Sequence, residues 1–375
     1  MPNFWNKVIY MIYLDNASTT YVYPEVIKAI NDVLINYWGN PSNLYDFGQE
    51  SKLLIDKAKG TIANCLSCDP CEIFFTSGSS EGNAWGLAQG VKCLCSPYEH
   101  HNITENKKTI IVDEDYLERT KGVSYVMQGY YKDTYKNYVY AHMLASNETG
   151  EIFNVNPLFN LAHEYGMFTL CDMTQCFGNM KINVKEYDAD MCVFSGHKFH
   201  APKGIGMVYI NKDVQKKITP LISGTQQGGL RAGTENIAYI HGLAIAAKLA
   251  CEEAPAKALL SGQLQERILN KLDVSGIPHV INKGKNNLYS TLSIALKNVE
   301  SEVLQMMLND KGIYIGVGSG CNNGLFEDNA TLKEMGVEPE YIRGPIRFSF
   351  SMKNTIEDVE IATDELIKAY KSLGV

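Results

Sequence analysis

The chain has 375 residues, of which 45% are hydrophobic and 20% are charged, and its 34 basic and 42 acidic residues give a net charge of −8. This composition excludes a disordered chain, and the length exceeds what one hydrophobic core usually fills, so two domains are expected. The acidic balance argues against direct binding of nucleic acid, and no stretch reaches the roughly 18 apolar residues of a membrane span. The N-terminal MPNFWNKVIYMIYLD lacks a small-residue cleavage site, which predicts a cytoplasmic protein.

Strand-like apolar runs, each ending in a polar or glycine-rich turn, occupy much of the first 210 residues. Helical patterns at 25–38, 49–65 and 157–165 separate several of them. This alternation predicts a mainly parallel sheet covered on both faces, with ligand sites at the carboxyl ends of its strands. The predicted strands are 72–78, 91–95, 139–147, 168–175, 191–196 and 206–210.

The pattern changes from about Ala256 onward, where a long helix begins. It continues with a strand at 290–295, a helix at 301–311, a strand at 346–349 and a terminal helix, which predicts a smaller α+β domain. We expect a large domain at 23–261 and a small domain at 262–375, with residues 1–22 packing on the small domain.

Three of the ten cysteines, Cys65, Cys68 and Cys71, have the C-x2-C-x2-C spacing of a zinc or iron–sulfur half-site. No fourth ligand is obvious nearby. A cysteine-rich helix end and turn before the strand EIFFTSG explains the spacing better, so no metal ligand is assigned, and a metal half-site is the alternative.

Two segments that follow predicted strands carry polar groups suited to an anionic, planar ligand. TSGSSEGN (76–83) places small hydroxyl residues at a helix start, where backbone N–H groups attract phosphate, although a serine N-cap without a ligand is the alternative. Glu99, His100 and His101 follow the strand at 91–95, so one imidazole could lie over a planar cofactor, although a lone histidine is usually structural.

Asp172 and Gln175 follow the apolar run FTLC (168–171) and precede Lys198 by one strand and helix. A carboxylate there suits the protonated nitrogen of a pyridine ring, and Gln175 could donate to a ring oxygen, although a turn-capping aspartate is the alternative. Lys198 lies beside Ser195 and His197, where desolvation would leave a neutral amine able to form an imine with an aldehyde cofactor. From position alone, a surface lysine is equally consistent.

Cys321 lies in the glycine-rich segment GVGSGCNNG (316–324), which is too flexible for the interior of a helix or strand. A cysteine in such a loop is exposed, which favours a reactive thiolate over a core thiol.

Together these residues resemble the cysteine desulfurases from about Ile12 to Asn354. The matching motifs are YLDNASTT, GNPS, TSGSSEGN, EHH, SNETG, CDMTQ, SGHKFHAPKGIG, RAGTEN, the Cys321 loop and IRFS. Their number and order make the resemblance specific. It implies a pyridoxal-phosphate-dependent transferase of fold type I.

The resemblance also implies a role for each site residue. Lys198 would carry the cofactor as a Schiff base, Asp172 would hold the pyridine nitrogen, and His100 would stack on the ring. Asn147 and Gln175 would lie near the ring oxygen. The implied phosphate ligands are Ser79, Ser80, Ser195, His197 and, from a second subunit of a homodimer, Thr234. Arg347 would bind the substrate carboxylate, with Asn147 also at the substrate.

The implied reaction takes sulfur from L-cysteine. The Lys198 amine removes the α-proton and the Cys321 thiolate attacks the substrate sulfur, leaving a persulfide and alanine. The persulfide sulfur would pass to an acceptor such as an iron–sulfur scaffold or a thiolation enzyme. A selenocysteine lyase, a class V aminotransferase and a scaffold without turnover are the alternatives; an aminotransferase has no need of Cys321.

Three positions depart from the family pattern. Tyr45 replaces a histidine, Gln227 replaces a glutamate, and the Cys321 loop reads GSGC in place of GSAC. These departures concern the choice of partner rather than the catalytic residues.

Overall fold

The computed structural model describes residues 11–112, 135–318 and 329–374, apart from the side chain of Ala330. They fall into two compact units. The larger unit comprises residues 20–146 and 153–254, and the smaller unit comprises residues up to 19, the segment 147–152 and residues from 255 onward. The segment 147–152 therefore belongs to the smaller unit, although it lies in the middle of the chain.

The elements alternate along the chain as the sequence pattern predicts. The strands are β1 (Ile12–Leu14), β2 (Ile73–Thr76), β3 (Lys92–Cys95), β4 (Thr109–Ile111), β5 (Tyr138–Met143), β6 (Phe168–Asp172), β7 (Met191–Ser195), β8 (Gly206–Ile210), β9 (His279–Ile281), β10 (Thr291–Leu296), β11 (Ile313–Val317) and β12 (Pro345–Ser349). The α-helices are α1 (Pro24–Asn36), α2 (Asp46–Leu66), α3 (Ser79–Leu87), α4 (His101–Thr104), α5 (Asn156–Glu164), α6 (Ile237–Ser275), α7 (Ser301–Asn309), α8 (Ala330–Glu334) and α9 (Ile356–Ser372).

A seven-stranded sheet with the order β2-β8-β7-β6-β5-β3-β4 forms the centre of the larger unit. β8 is antiparallel to both neighbours, and the other pairs are parallel. Every residue of β7 and β8 is buried, as expected for strands covered on both faces. Helix α1 buries Val26, Ile30 and Val33, whose spacing gives it one apolar face.

The smaller unit is built on a five-stranded sheet with the order β1-β11-β12-β10-β9. β1 and β11 are parallel, and the remaining pairs are antiparallel. Helices α6, α7 and α9 contribute apolar side chains to one core with this sheet. These side chains include Leu264, Ile268 and Leu272 of α6, Leu304 of α7 and Leu366 of α9.

The predicted fold class, a large α/β domain with a mainly parallel sheet and a smaller α+β domain, is confirmed. The long helix differs from expectation, because α6 begins at Ile237 and continues through Pro255. Proline lacks the N–H that would bond to the carbonyl of Cys251, so the helix is one hydrogen bond short where the smaller unit begins. Within the described ranges, no helix has the length and apolar character needed to cross a membrane.

Candidate functional site

The candidate site lies at one edge of the seven-stranded sheet, namely the edge formed by the carboxyl ends of its parallel strands. Six strands run in the same direction and end at this edge, and five of these ends are relevant to the site: Thr76, Cys95, Met143, Asp172 and Ser195. The segments that carry Ser79, His100, Asp172 and Lys198 each follow one of these ends, which is where α/β sheets place ligands.

Asp172 provides a buried carboxylate at the end of β6. Its Oδ2 accepts a 2.7 Å hydrogen bond from the Asn83 side chain, and its Oδ1 accepts a 2.9 Å bond from the Thr174 backbone N–H. Both of these donors are neutral groups. A buried carboxylate in this setting fits the protonated nitrogen of a pyridine ring.

Asn83 is a site residue to which the sequence analysis gave no role. It is 1% exposed, on the buried face of α3. Its amide nitrogen also lies 3.5 Å from Oδ1 of Asn102, which is 3.1 Å from Nδ1 of His100. Asn83 therefore links Asp172 to the segment that carries His100. The available signal was its place in TSGSSEGN, a segment that the sequence already indicated as a ligand site.

The start of α3 forms the candidate phosphate site. Ser79 and Ser80 are the first two residues of this nine-residue helix. A Cβ added to Gly206 would lie 2.7 Å from Cα of Gly78, so β8 approaches the loop closely only because residue 206 is glycine. A Cβ on Gly78 would lie 3.6 Å from Oγ of Ser195, which places that hydroxyl beside the same loop. The helix start and the three serines can together hold a phosphate.

Lys198 ends a short 3-10 helix that follows β7, the strand next to β6. Burial, aided by the positive charges of Lys198 and Lys203, lowers the pKa of the neighbouring His197 to about 4. His197 is therefore neutral at neutral pH. It can donate one N–H to an anion without adding a charge.

The Lys198 segment is anchored by residues that sequence reasoning also missed. Thr20 donates to the carbonyl of His197 through its backbone N–H and its hydroxyl, each at 2.9 Å. The same hydroxyl accepts from the backbone N–H of His200 at 2.8 Å. His200 has a left-handed backbone (φ 70°), and its ring stacks on Tyr23. These contacts hold a strained turn in place two residues after Lys198.

The remaining predicted cofactor residues lie in three different parts of the fold. Gln175 is buried, and its backbone carbonyl accepts from the Asn179 side chain. Thr234 is exposed in the loop before α6. Asn147 belongs to the smaller unit, where its carbonyl accepts a 2.6 Å hydrogen bond from Nη1 of Arg347.

Arg347 is the predicted carboxylate-binding residue of the smaller unit. Its Nη2 forms a 2.6 Å ion pair with Oδ1 of Asp15, and only 11% of its side chain is exposed. Its guanidinium group is thus oriented by one carboxylate and one carbonyl. Cys321, the predicted nucleophile, lies outside the described residues.

Glu99 is a fully buried carboxyl group next to His100 in the chain. Its Oε1 accepts from the Met143 backbone N–H at 2.5 Å and from the Ser96 hydroxyl at 3.0 Å. Burial, aided by the charge of Asp172, raises the pKa of Glu99 to about 8. Burial also lowers the pKa of His142, 4.0 Å away, to about 4. At neutral pH the two groups are therefore a neutral pair rather than an ion pair.

Replacing Glu99 with glutamine should remove a pH dependence of stability. The pKa of Glu99 is higher in the folded protein than in the unfolded chain, so its contribution to stability is lost as pH rises through about 8. Between pH 7 and pH 9 the wild type should lose about 1.4 kcal/mol relative to Glu99→Gln. Urea unfolding of both proteins at the two pH values measures this difference. An equal change in both proteins would contradict a protonated Glu99.

Gln227, one of the departures from the family pattern, contacts the outer edge of β2. Its Oε1 accepts from the Phe75 N–H at 2.6 Å, and its Nε2 donates to the Phe75 carbonyl at 3.0 Å. An ionised glutamate could make only the first of these bonds. Tyr45, the second departure, is exposed at the start of α2, and its hydroxyl accepts from the Asn43 side chain.

The three closely spaced cysteines lie at a helix end, a turn and a 3-10 helix. Cys65 is near the end of α2, where its thiol is hydrogen-bonded to Cys251, while Cys71 is exposed. Among the residues that the structure describes, no group of three or more His, Cys, Asp and Glu side chains could hold a metal ion.

The chain is similar to known proteins over nearly its whole length. The aminotransferase class-V family model matches residues 12–361. The cysteine desulfurase IscS of Methanosarcina thermophila is 33% identical over 95% of this chain and 90% of its own length. A cysteine desulfurase of Enterobacter agglomerans is 32% identical over 95% of this chain and 91% of its own length. A solved NifS-like protein superposes with a TM-score of 0.84 at 28% identity, over 96% of this chain and 100% of its own.

Proposed function

Because the chain belongs to the aminotransferase class-V family and to its cysteine desulfurases, we propose that it removes sulfur from L-cysteine with pyridoxal phosphate held at the sheet edge. The observation that carries this proposal is the buried Asp172 carboxylate, which accepts from two neutral donors, beside the strand that leads to Lys198. The near full-length similarity to cysteine desulfurases supports the choice of substrate.

Pyridoxal phosphate would be held by residues of the larger unit and by Asn147 of the smaller unit. Asp172 would bind the ring nitrogen, His100 would cover the ring, and Gln175 and Asn147 would lie near the ring oxygen. Lys198 would hold the aldehyde carbon. The phosphate would be bound by Ser79, Ser80, Ser195 and His197. When bound, the cofactor supplies an electron sink for the substrate α-carbon.

The protein's own residues would then carry out three tasks. Arg347 binds the carboxylate of L-cysteine, and Lys198 Nζ removes the proton from the α-carbon. The Cys321 thiolate attacks the substrate sulfur, so an S–S bond forms as the substrate C–S bond breaks. A persulfide remains on Cys321, and L-alanine leaves after the β-carbon takes up a proton in place of the sulfur and the α-carbon regains its proton.

The proposal includes a homodimer, a sulfur acceptor and a cytoplasmic location. The exposed Thr234 would contribute to the phosphate site of a second subunit. The persulfide sulfur would pass to an iron–sulfur scaffold or a thiolation enzyme. Nine cysteines of the described residues are free thiols, as expected in a reducing compartment.

The proposed function predicts a cofactor absorbance band that changes when L-cysteine is added to the purified protein. Sulfide and alanine should then form in equal amounts in the presence of a reductant, because each turnover releases one of each. L-Alanine in place of L-cysteine is the control and should yield no sulfide. Alanine formation that required a keto acid, without sulfide, would instead identify an aminotransferase.

A further inference from the structure

Asp15, Gly316 and Arg347 form a row across three strands of the smaller unit. Leu14 pairs with Ile315 in the parallel ladder, which brings Asp15 level with Gly316, and Gly316 pairs with Arg347. Arg347 reaches across the glycine to Asp15. A Cβ on Gly316 would lie 2.7 Å from Oδ1 of Asp15 and 2.8 Å from Nη2 of Arg347. Any side chain at this position would therefore disturb the ion pair.

The ion pair is largely shielded from water, with 11% of the Arg347 side chain and 21% of the Asp15 side chain exposed. Nη1 of Arg347 is bonded to the carbonyl of Asn147. Nε is buried and has no hydrogen-bond partner in the described part of the chain. The guanidinium group thus keeps its Nε donor unused among the described residues, while the Asp15 carboxylate neutralises its charge.

We propose that Asp15 determines specificity by competing with the substrate carboxylate for Arg347. This inference rests on the proposed function, in which Arg347 binds that carboxylate. Two carboxylates on one guanidinium group repel each other, and the repulsion is strong where water is largely excluded. A ligand that offers only a carboxylate therefore binds weakly. An amino acid overcomes the competition through its additional contacts.

Asp15→Asn tests the proposal, because it removes the charge and keeps a similar shape and the oxygen that accepts from Arg347. The KM for L-cysteine should fall about tenfold, while kcat changes less than about twofold, because the competition affects substrate and transition state alike. Binding of propionate to the cofactor-free protein, measured by calorimetry, should tighten about tenfold. Asp15→Ser, which removes the charge with a different side chain, should change both constants in the same direction.

Asp364→Asn is the matched control. Asp364 forms a 2.7 Å ion pair with Lys271 in the same unit, so this variant removes an equal charge outside the row. It should leave KM and propionate binding unchanged. Weaker or unchanged propionate binding in Asp15→Asn would overturn the proposal, since Asp15 would then only position Arg347.

The propionate titration separates this proposal from the proposed function. If the wild type released no sulfide from L-cysteine, the proposed function would fail, whereas propionate binding would still report on Asp15. Arg347→Ala should abolish the propionate signal. Persistence of that signal would show that the probe binds elsewhere and would overturn the role given to Asp15.

Discussion

Replacing Lys198 with alanine is expected to lower cysteine turnover by about four orders of magnitude. The variant loses both the amine that would hold the cofactor and the base that would remove the α-proton. Borohydride should attach the cofactor irreversibly to the wild type, and mass spectrometry should find it on the peptide that contains Lys198. The Lys198→Ala protein should show no such attachment.

Lys203→Ala is the matched control, since Lys203 is an exposed lysine five residues further along the same segment. It should keep both turnover and attachment. Attachment of the cofactor to another lysine in the wild type would show that the Schiff-base residue has been misidentified.

Replacing Cys321 with serine should lower sulfide and alanine release by about three orders of magnitude, because a hydroxyl is a poor nucleophile toward sulfur at neutral pH. The fold and the bound cofactor should be retained, since the Asp172 and Lys198 segments do not include this loop. Wild-type protein exposed briefly to cysteine without reductant should carry one extra sulfur on the Cys321 peptide.

Cys71→Ser serves as the control, because Cys71 is an exposed thiol outside the Cys321 loop. It should leave turnover unchanged. Detection of the extra sulfur on Cys65, Cys68 or Cys71 would move the nucleophile to that cluster.

The sequence predicted the strands and helices that the periodicity of its apolar residues indicates. β8 was placed at 206–210, as observed. The alternation of strands and helices also predicted that ligand sites lie at the carboxyl ends of the strands. The resemblance to cysteine desulfurases is confirmed by the family and its relatives. The assigned roles of Lys198, Asp172 and Arg347 remain predictions.

The contacts between distant segments could not be predicted in the same way. Asn83 and Glu99 form hydrogen bonds with residues that are far away in sequence, Asp172 and Met143 respectively. His200 has a backbone conformation that a histidine rarely adopts, and Thr20, 180 residues earlier, stabilises it. Periodicity reports which face of an element is buried, but it does not report which polar groups meet there.

The contact between Gln227 and Phe75 has a consequence for self-association. β2 is an edge strand, and an edge strand offers unpaired N–H and C=O groups on which a strand of another molecule can assemble. The Gln227 amide occupies both groups of Phe75. It therefore protects this edge against intermolecular strand addition, a route to aggregation, without a further strand being needed to cover it.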